Sequence, residues 1–91
     1  MAVLVRVPTQ LRSLTGGANR VEVEATTVRE AVAALEATHP GFAARLLDDQ
    51  GAVRRYVNLF VDDEDIRFAD GLATPVKDGQ TISVVPAVAG G

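Results

Sequence analysis

Alternating apolar and polar positions predict two strands near the amino terminus. Residues 2–7 read AVLVRV and residues 21–25 read VEVEA, a period of two that places apolar side chains on one face of a sheet. The segment between them contains Gly16, Gly17 and Asn19, residue types that accept the positive φ values of a chain reversal. The two strands are therefore expected to form an antiparallel hairpin.

A helix is predicted to begin after Thr27, because Thr27 and Glu30 have the spacing of a capping box. The apolar residues that follow recur at intervals of three and four, and they are Val28, Ala31, Val32 and Leu35. The sequence His39-Pro40-Gly41 is expected to end this helix. A second short helical turn is predicted over residues 42–47.

The carboxyl-terminal half predicts two longer strands and a short one between them. Residues 55–61 read RYVNLFV, and residues 81–85 read TISVV directly after a turn signal at Asp78-Gly79. Residues 62–76 are interpreted as turns and a loop, with a brief edge strand around Ile66 and Phe68.

Alternation within residues 55–61 separates the core face from the opposite face. Val57, Leu59 and Val61 are assigned to the core under the helix. Tyr56, Asn58 and Phe60 are assigned to the other face.

The order strand, strand, helix, strand, short strand, strand predicts an α+β fold, and the ubiquitin-like β-grasp topology fits it. One main helix would pack across one face of a mixed sheet. The 91 residues suit a single domain, predicted over residues 1–85. Pro86 is expected to end the ladder, so that residues 86–91 form an extended tail.

Composition excludes several kinds of function. The chain has no cysteine, which excludes a thiol nucleophile, thiolate metal ligands and disulfides. Its net charge of −3 argues against nucleic acid and anionic membrane as partners. No apolar run is long enough to span a membrane and no signal peptide is recognisable, so a cytoplasmic location is expected. The sequence leaves the oligomeric state open, and a monomer is the default expectation.

The last residues, PAVAGG, suggest chemistry at the terminal carboxylate. Pro86–Gly91 can extend by about 20 Å, enough to enter the active site of another protein. Gly90 and Gly91 have no Cβ, so their backbone can pass a channel too narrow for side chains. A carboxylate must first be activated, usually as an acyl-adenylate formed with ATP and magnesium by a partner enzyme. On these residues alone, an inert terminus is an equal alternative.

Other candidate sites have simpler interpretations. The acidic run Asp62–Asp65 lacks the spacing of a calcium loop, so we interpret it as a solvated turn and predict no metal. His39 is expected to cap the carboxyl end of the helix. No serine, histidine and acid arrangement is recognisable around this one histidine.

Apolar residues suggest a site for partner docking. Phe60, Leu72 and Pro86 would form an apolar docking patch beside the tail, with a satellite core cluster as the alternative.

Three segments, PTQLRSLTGG, YVNLFVDDEDIRFADGLATPV and VVPAVAGG, resemble the ubiquitin-like sulfur-carrier family, which includes ThiS, MoaD and CysO. The resemblance covers essentially the whole chain and is strongest to CysO. It implies a carrier, not an enzyme, whose Gly91 is adenylated by a ubiquitin-activating-type enzyme and converted to a thiocarboxylate. Gly90, Ala89 and Val88 would be the part of the tail that partners recognise. Arg12 would contact the activating enzyme, with an exposed solubilising arginine as an equal alternative.

The resemblance also implies the partners. A pyridoxal phosphate-dependent cysteine synthase acting on O-phosphoserine would use the thiocarboxylate, and a zinc metalloprotease would then release cysteine. ATP, magnesium, pyridoxal phosphate and zinc would belong to these enzymes and none to this chain. The alternatives are a small subunit of molybdopterin synthase, a ubiquitin-like modifier of lysines, and an interaction module with an inert tail.

Overall fold

Five strands form one mixed sheet in the computed structural model, which describes residues 2–86. The strands are β1 (Ala2–Arg6), β2 (Arg20–Glu24), β3 (Val57–Val61), β4 (Glu64–Asp65) and β5 (Thr81–Pro86). Their order across the sheet is β2-β1-β5-β3-β4. β1 pairs antiparallel with β2, which confirms the predicted hairpin, and parallel with the central β5. β3 pairs antiparallel with both β5 and β4.

Two α-helices and three short 3₁₀ helices connect these strands. The α-helices are α1 (Val28–Thr38) and α2 (Phe42–Leu46), close to the predicted bounds. The 3₁₀ helices span Thr9–Thr15, Ile66–Phe68 and Gly71–Ala73. Among the described residues, the first of them occupies most of the β1–β2 connection, where the sequence indicated only a chain reversal.

The amino terminus of α1 has the predicted capping residues, but the Glu30 carboxylate bonds to Thr26 and not to the backbone N–H of Thr27. The Thr27 hydroxyl accepts a hydrogen bond from the Glu30 backbone N–H at 3.2 Å. The Glu30 carboxylate accepts from the hydroxyl of Thr26 at 2.7 Å and from its backbone N–H at 2.8 Å. These bonds, the hydroxyl's first, lower the pKa of Glu30.

Glu36 joins the end of α1 to the start of α2. Its Oε1 accepts hydrogen bonds from the backbone N–H groups of Gly41 at 3.1 Å and Ala43 at 2.9 Å. Gly41 has φ of 114°, and a Cβ at this position would lie 3.0 Å from Leu14. Glycine is therefore required here both for its conformation and for the close approach. The carboxylate satisfies N–H groups that a new helix leaves without intrahelical partners.

His39 is the residue that follows the last turn of α1, as predicted. Its backbone N–H donates to the Leu35 carbonyl at 2.6 Å. Its Nδ1 lies 2.9 Å from the Thr38 hydroxyl, and its ring meets Phe42 edge to face with centroids 6.5 Å apart. The imidazole therefore has a structural role at the α1–α2 junction.

The hydrophobic core lies between α1, α2 and one face of the sheet. Val57, Leu59 and Val61 are buried, which confirms the face assigned to them, whereas Tyr56 is exposed and Asn58 and Phe60 are half-buried. The largest fully buried side chains are those of Phe42, Leu35, Leu46, Leu59 and Ile66.

The predicted edge strand around Ile66 and Phe68 is wrong in position. The edge strand is Glu64–Asp65, and a 3₁₀ helix follows it. The Asp65 carboxylate accepts a hydrogen bond from the Arg67 N–H at 2.8 Å, which favours a helical turn over continued strand. Ile66 consequently enters the core at 2% exposure, whereas Phe68 is 85% exposed.

β5 is one residue longer than predicted. Pro86 pairs with Val57 of β3, and so belongs to the sheet instead of ending it at residue 85. Proline is tolerated at this strand end because β1 pairs with β5 only as far as Ser83. Within residues 2–86, no helix is long and apolar enough to cross a membrane.

Candidate functional site

The candidate chemistry lies beyond the last strand. β5 occupies the centre of the sheet and leads towards the carboxyl terminus between β1 and β3. Gly91, Gly90, Ala89 and Val88, the residues expected to carry the chemistry, lie outside the described residues. The structure therefore describes the surface around Pro86, from which this segment continues.

A row of outward-facing residues crosses the sheet at Ser83 of β5, three residues before Pro86. In register, the row runs through Arg20, Arg6, Ser83, Phe60 and Asp65, one residue from each strand. The surface is therefore cationic at the β2 edge, apolar at Phe60 and acidic at the β4 edge. Leu4 and Val85 lie on the same face above and below the row.

The apolar docking patch proposed from the sequence is only partly present. Phe60 and Pro86 are half-buried. Leu72 is 8% exposed and belongs to the core, so its assignment to the patch is wrong. The 3₁₀ helix Gly71–Ala73 turns Leu72 inwards. Thr74, which follows this helix, is joined to α1 because its carbonyl accepts a hydrogen bond from the Val28 N–H at 3.0 Å.

Two other apolar side chains are exposed near the end of β5. Tyr56 is 49% exposed and Val85 is 45% exposed. Val85 pairs with Asn58 on the open face, next to Pro86 in the chain. The alternation of residues 81–85 could have identified Val85, because Ile82 and Val84 both face the core.

Arg12 is partly buried and forms a hydrogen bond within the chain. It lies half-buried in the 3₁₀ helix after β1, and its Nε donates to the Val7 carbonyl at 3.1 Å. This bond fixes the side chain beside the end of β1. A depression of about 300 Å³ there is bordered by Arg12, Arg6, Arg20 and Val85.

The acidic run is only partly the predicted turn, because Asp62 and Asp63 form the β3–β4 turn whereas Glu64 and Asp65 form β4. Asp62 also joins two strands. Asp62 has a positive φ of 55° and accepts hydrogen bonds from the Thr81 N–H at 3.1 Å and the Gln80 amide at 3.0 Å. Its own N–H donates to the Thr81 carbonyl at 2.7 Å. In the part of the chain that the structure describes, no three His, Asp or Glu side chains are grouped as a metal site.

Comparison with known proteins gives the chain its family. The model of the ThiS family matches residues 5–91. The chain belongs to the ThiS family. The match includes the terminal glycines and all of the described sheet except the start of β1, so fold and tail are matched together.

Individual relatives of this ThiS-family chain include both carriers and a modifier. The sulfur carrier protein CysO of Mycobacterium tuberculosis is 44% identical over 93 residues, with full coverage of both chains. Small archaeal modifier protein 3 of Haloferax volcanii is 42% identical over 72 residues, which are 79% of this chain and 76% of that protein.

A solved structure confirms the fold. One chain in the crystal structure of the Amycolatopsis orientalis BexX/CysO complex has a TM-score of 0.93 and 47% identity. The match covers 99% of this chain and 100% of that one. The predicted β-grasp fold is thereby confirmed. The full-length match to CysO supports sulfur carriage as the general function, and places this ThiS-family chain among small carriers rather than enzymes.

Proposed function

We propose that this chain carries sulfur on its terminal glycine, Gly91, as a thiocarboxylate that supplies cysteine biosynthesis from O-phosphoserine. The observation that carries the proposal is the match to CysO over the full length of both chains, together with the family match that includes the terminal glycines. The chain itself performs no catalysis in this scheme. Its folded domain is recognised by enzymes, and its terminal carboxylate reacts within them.

The chemistry follows from the poor reactivity of a carboxylate. An activating enzyme of the ubiquitin-activating type joins the Gly91 carboxylate to the α-phosphate of ATP, and pyrophosphate leaves. A sulfide nucleophile then attacks the acyl carbon and AMP leaves, so that one carboxylate oxygen is replaced by sulfur. ATP, magnesium and the sulfur donor are supplied by the partners. The absence of cysteine means that no thiol of this chain competes for the activated carbon.

The geometry of β5 supports delivery of the tail to another protein. β5 is paired with β3 up to Pro86, and five residues follow Pro86 in the sequence. Those five residues span up to about 17 Å when extended. Tyr56 and Val85 add exposed apolar surface around the exit point.

The proposal also includes the enzymes that would accept the sulfur and release cysteine. In a pyridoxal phosphate-dependent cysteine synthase, the thiocarboxylate sulfur would bond to the β-carbon of O-phosphoserine, and phosphate would leave. Transfer of the Gly91 acyl group from that sulfur to the amino group would leave cysteine joined to Gly91 by an amide. A zinc metalloprotease would hydrolyse the amide, which releases cysteine and restores the Gly91 carboxylate. Complex formation by a CysO chain with BexX, in the Amycolatopsis structure, supports docking of such carriers on separate proteins.

A second candidate is modification of proteins. It is favoured by the 42% identity to small archaeal modifier protein 3. In that role the activated Gly91 would form an amide with a lysine of a target protein. The molybdopterin synthase subunit named above shares the thiocarboxylate and would differ by remaining bound to a large catalytic subunit.

Mass spectrometry of the intact chain from its native cells distinguishes these functions. A species with one oxygen replaced by sulfur, and a second with added cysteine, are expected for the proposed function. Lysine-linked adducts of Gly91 without a thiocarboxylate would support modification instead. Stable co-purification with one large subunit, without the cysteine adduct, would support the molybdopterin alternative.

A further inference from the structure

Two arginines face each other on neighbouring strands of the open face. Arg6 of β1 lies directly opposite Arg20 of β2 in the antiparallel register, and both side chains are exposed. Like charges in this arrangement destabilise a sheet, because side chains of directly opposed residues lie about 5 Å apart at Cβ. The fold therefore bears a local cost at this position.

Acidic residues lie near the two charges within the described range, but none forms an ion pair with them. Neither guanidinium has an ion-pair or hydrogen-bond partner among residues 2–86. Glu22 lies opposite Leu4, one row away, and forms no ion pair with them. A second surface depression is bordered by the two arginines together with Asp62 and Asp63. The Asp62 carboxylate is already hydrogen-bonded to Gln80 and Thr81.

The arginines border the depression of about 300 Å³ beside the last strand. Arg12 is fixed at its edge by the bond to Val7, which adds a third cation. Ser83, the residue of β5 in register with Arg6, contributes a hydroxyl. Three guanidinium groups around one concave surface suit several carboxylates, which arginine can bind through two parallel hydrogen bonds.

The position of this surface indicates which partner would cover it. Ser83 precedes Pro86 by three residues, so the arginine pair lies about 10 Å along the sheet from the end of the described chain. A protein that takes up the five remaining residues must approach this surface closely. The overall charge of the chain is negative, so its attraction for acidic surfaces must come from such a local cluster.

We propose that Arg6 and Arg20, with Arg12, bind clustered carboxylates on the surface of the enzyme that takes up the carboxyl-terminal segment. The proposal rests on the proposed function for the identity of that enzyme. The like-charge pair lowers the stability of the free carrier and is relieved when acidic residues of the partner enter between the two guanidinium groups.

A hexaglutamate peptide tests the binding chemistry without any enzyme. Addition of the peptide should shift the backbone NMR signals of residues 6, 20 and 83 in a saturable way. Arg6→Glu should weaken binding by about tenfold or more, and about 0.5 M sodium chloride should have a similar effect. Arg29→Glu, the same change of charge on α1, should leave binding within about twofold. Absence of a saturable shift, or equal loss in both variants, would overturn the proposal.

Thermal unfolding tests the cost of the arginine pair. Arg6→Glu creates an opposed Glu and Arg, and should raise the melting temperature by about 2 °C. Adding Arg20→Glu restores two like charges and should remove that gain. A carrier that becomes more stable while binding hexaglutamate less tightly is the expected combination. A fall in melting temperature with Arg6→Glu would contradict the argument.

Sulfur loading in native cells separates this proposal from the proposed function. If the wild-type chain acquires sulfur, Arg6→Glu should lower the loaded fraction and Arg29→Glu should not. Equal loading of both variants would refute the docking site and leave the carrier function intact. If the wild-type chain acquires no sulfur, the carrier function fails, and the peptide titration alone decides the arginine site.

Sedimentation experiments test whether a second copy of the chain occupies the surface. A dimer of the wild-type chain that is lost in the Arg6→Glu variant would show this, and would also overturn the proposal.

Discussion

Val57 of β3 lies opposite Pro86 of β5, so the last strand remains paired to the final residue that the structure describes. Among residues 2–86, the core residues nearest the carboxyl terminus are Ile82 and Val84. The residues of this core are therefore distinct from Gly91, on which the proposed chemistry takes place. This separation suits the proposed carrier, because Gly91 can react without a change to these core residues.

A side chain at Gly90 should impair sulfur loading without affecting folding. We expect Gly90→Val to leave the melting temperature within about 1 °C, since the core formed by residues 2–86 does not include this position. The loaded fraction should fall by about tenfold or more, because a Cβ restricts the backbone and occupies a narrow channel. Thermal unfolding and intact mass spectrometry on the same preparation measure both effects. Normal loading of the Gly90→Val chain would contradict the idea of a narrow entry path.

The same substitution should have a large effect on stability at Phe42 and a negligible one at Phe68. Phe42 is fully buried and Phe68 is 85% exposed. Phe42→Ala should lower the free energy of unfolding by about 3–5 kcal/mol, because it removes apolar contacts and leaves a cavity. Phe68→Ala should change it by less than about 0.5 kcal/mol. Chemical denaturation of both variants provides the comparison, and a large loss with Phe68→Ala would show that the 3₁₀ segment packs differently.

Arg67 should contribute more to stability than its exposure indicates. One terminal nitrogen donates to the carbonyl oxygens of Val57 at 2.7 Å and Arg54 at 3.1 Å, and the other bonds to Asn58. Arg67→Leu should lower the free energy of unfolding by about 1–2 kcal/mol.

The conservative variant tests whether the planar group matters. Arg67→Lys should recover less than half of that loss, because a single ammonium cannot bind the separate acceptors that the guanidinium spans. Denaturant titrations of the two variants measure this difference. Full recovery with lysine would show that charge alone is sufficient.

Glu30 should make the stability of the domain dependent on pH in the acidic range. Its bonds to Thr26 lower its pKa in the folded state. The resulting stabilisation is complete above the unfolded-state pKa and is lost as the pH falls through the lower folded-state pKa. Wild type should therefore exceed Glu30→Gln in stability at neutral pH, and the difference should narrow in acid.

An exposed glutamate outside the cap is the control for this effect. Glu64 lies in β4 and is exposed, away from the start of α1. Glu64→Gln should leave the pH profile of the melting temperature close to that of wild type. A Glu30→Gln chain that follows the wild-type profile at every pH would show that the capping carboxylate has no net effect.

Local patterns in the sequence predicted most of the fold. The alternation in β1, β2 and β3 and the cap at Thr27 depend on neighbours within a few residues, and each was located correctly. Leu72 was misassigned because its burial depends on contact with α1, far away in sequence. Pro86 was misplaced because its pairing depends on Val57. The opposed Arg6 and Arg20 also became visible only once the strand register was known.

The candidate site was predicted in a different way. Gly91 and its neighbours were identified from the terminal glycines and from the resemblance of three segments to a family, and the family is confirmed. No side-chain constellation was available to find, since the proposed reaction uses the main-chain carboxylate. Tyr56 was placed correctly on the face away from the core, and the alternation of residues 81–85 could have identified Val85 as exposed.

The state of the Gly91 carboxylate in native cells is the most direct test of the central claim. The chain should be isolated under non-reducing, amine-free conditions and its intact mass compared with that of a version lacking Gly90 and Gly91. The account predicts a fraction with one oxygen replaced by sulfur, or with added cysteine, that is absent from the shortened chain. An unmodified carboxylate in cells that are actively making cysteine would contradict it.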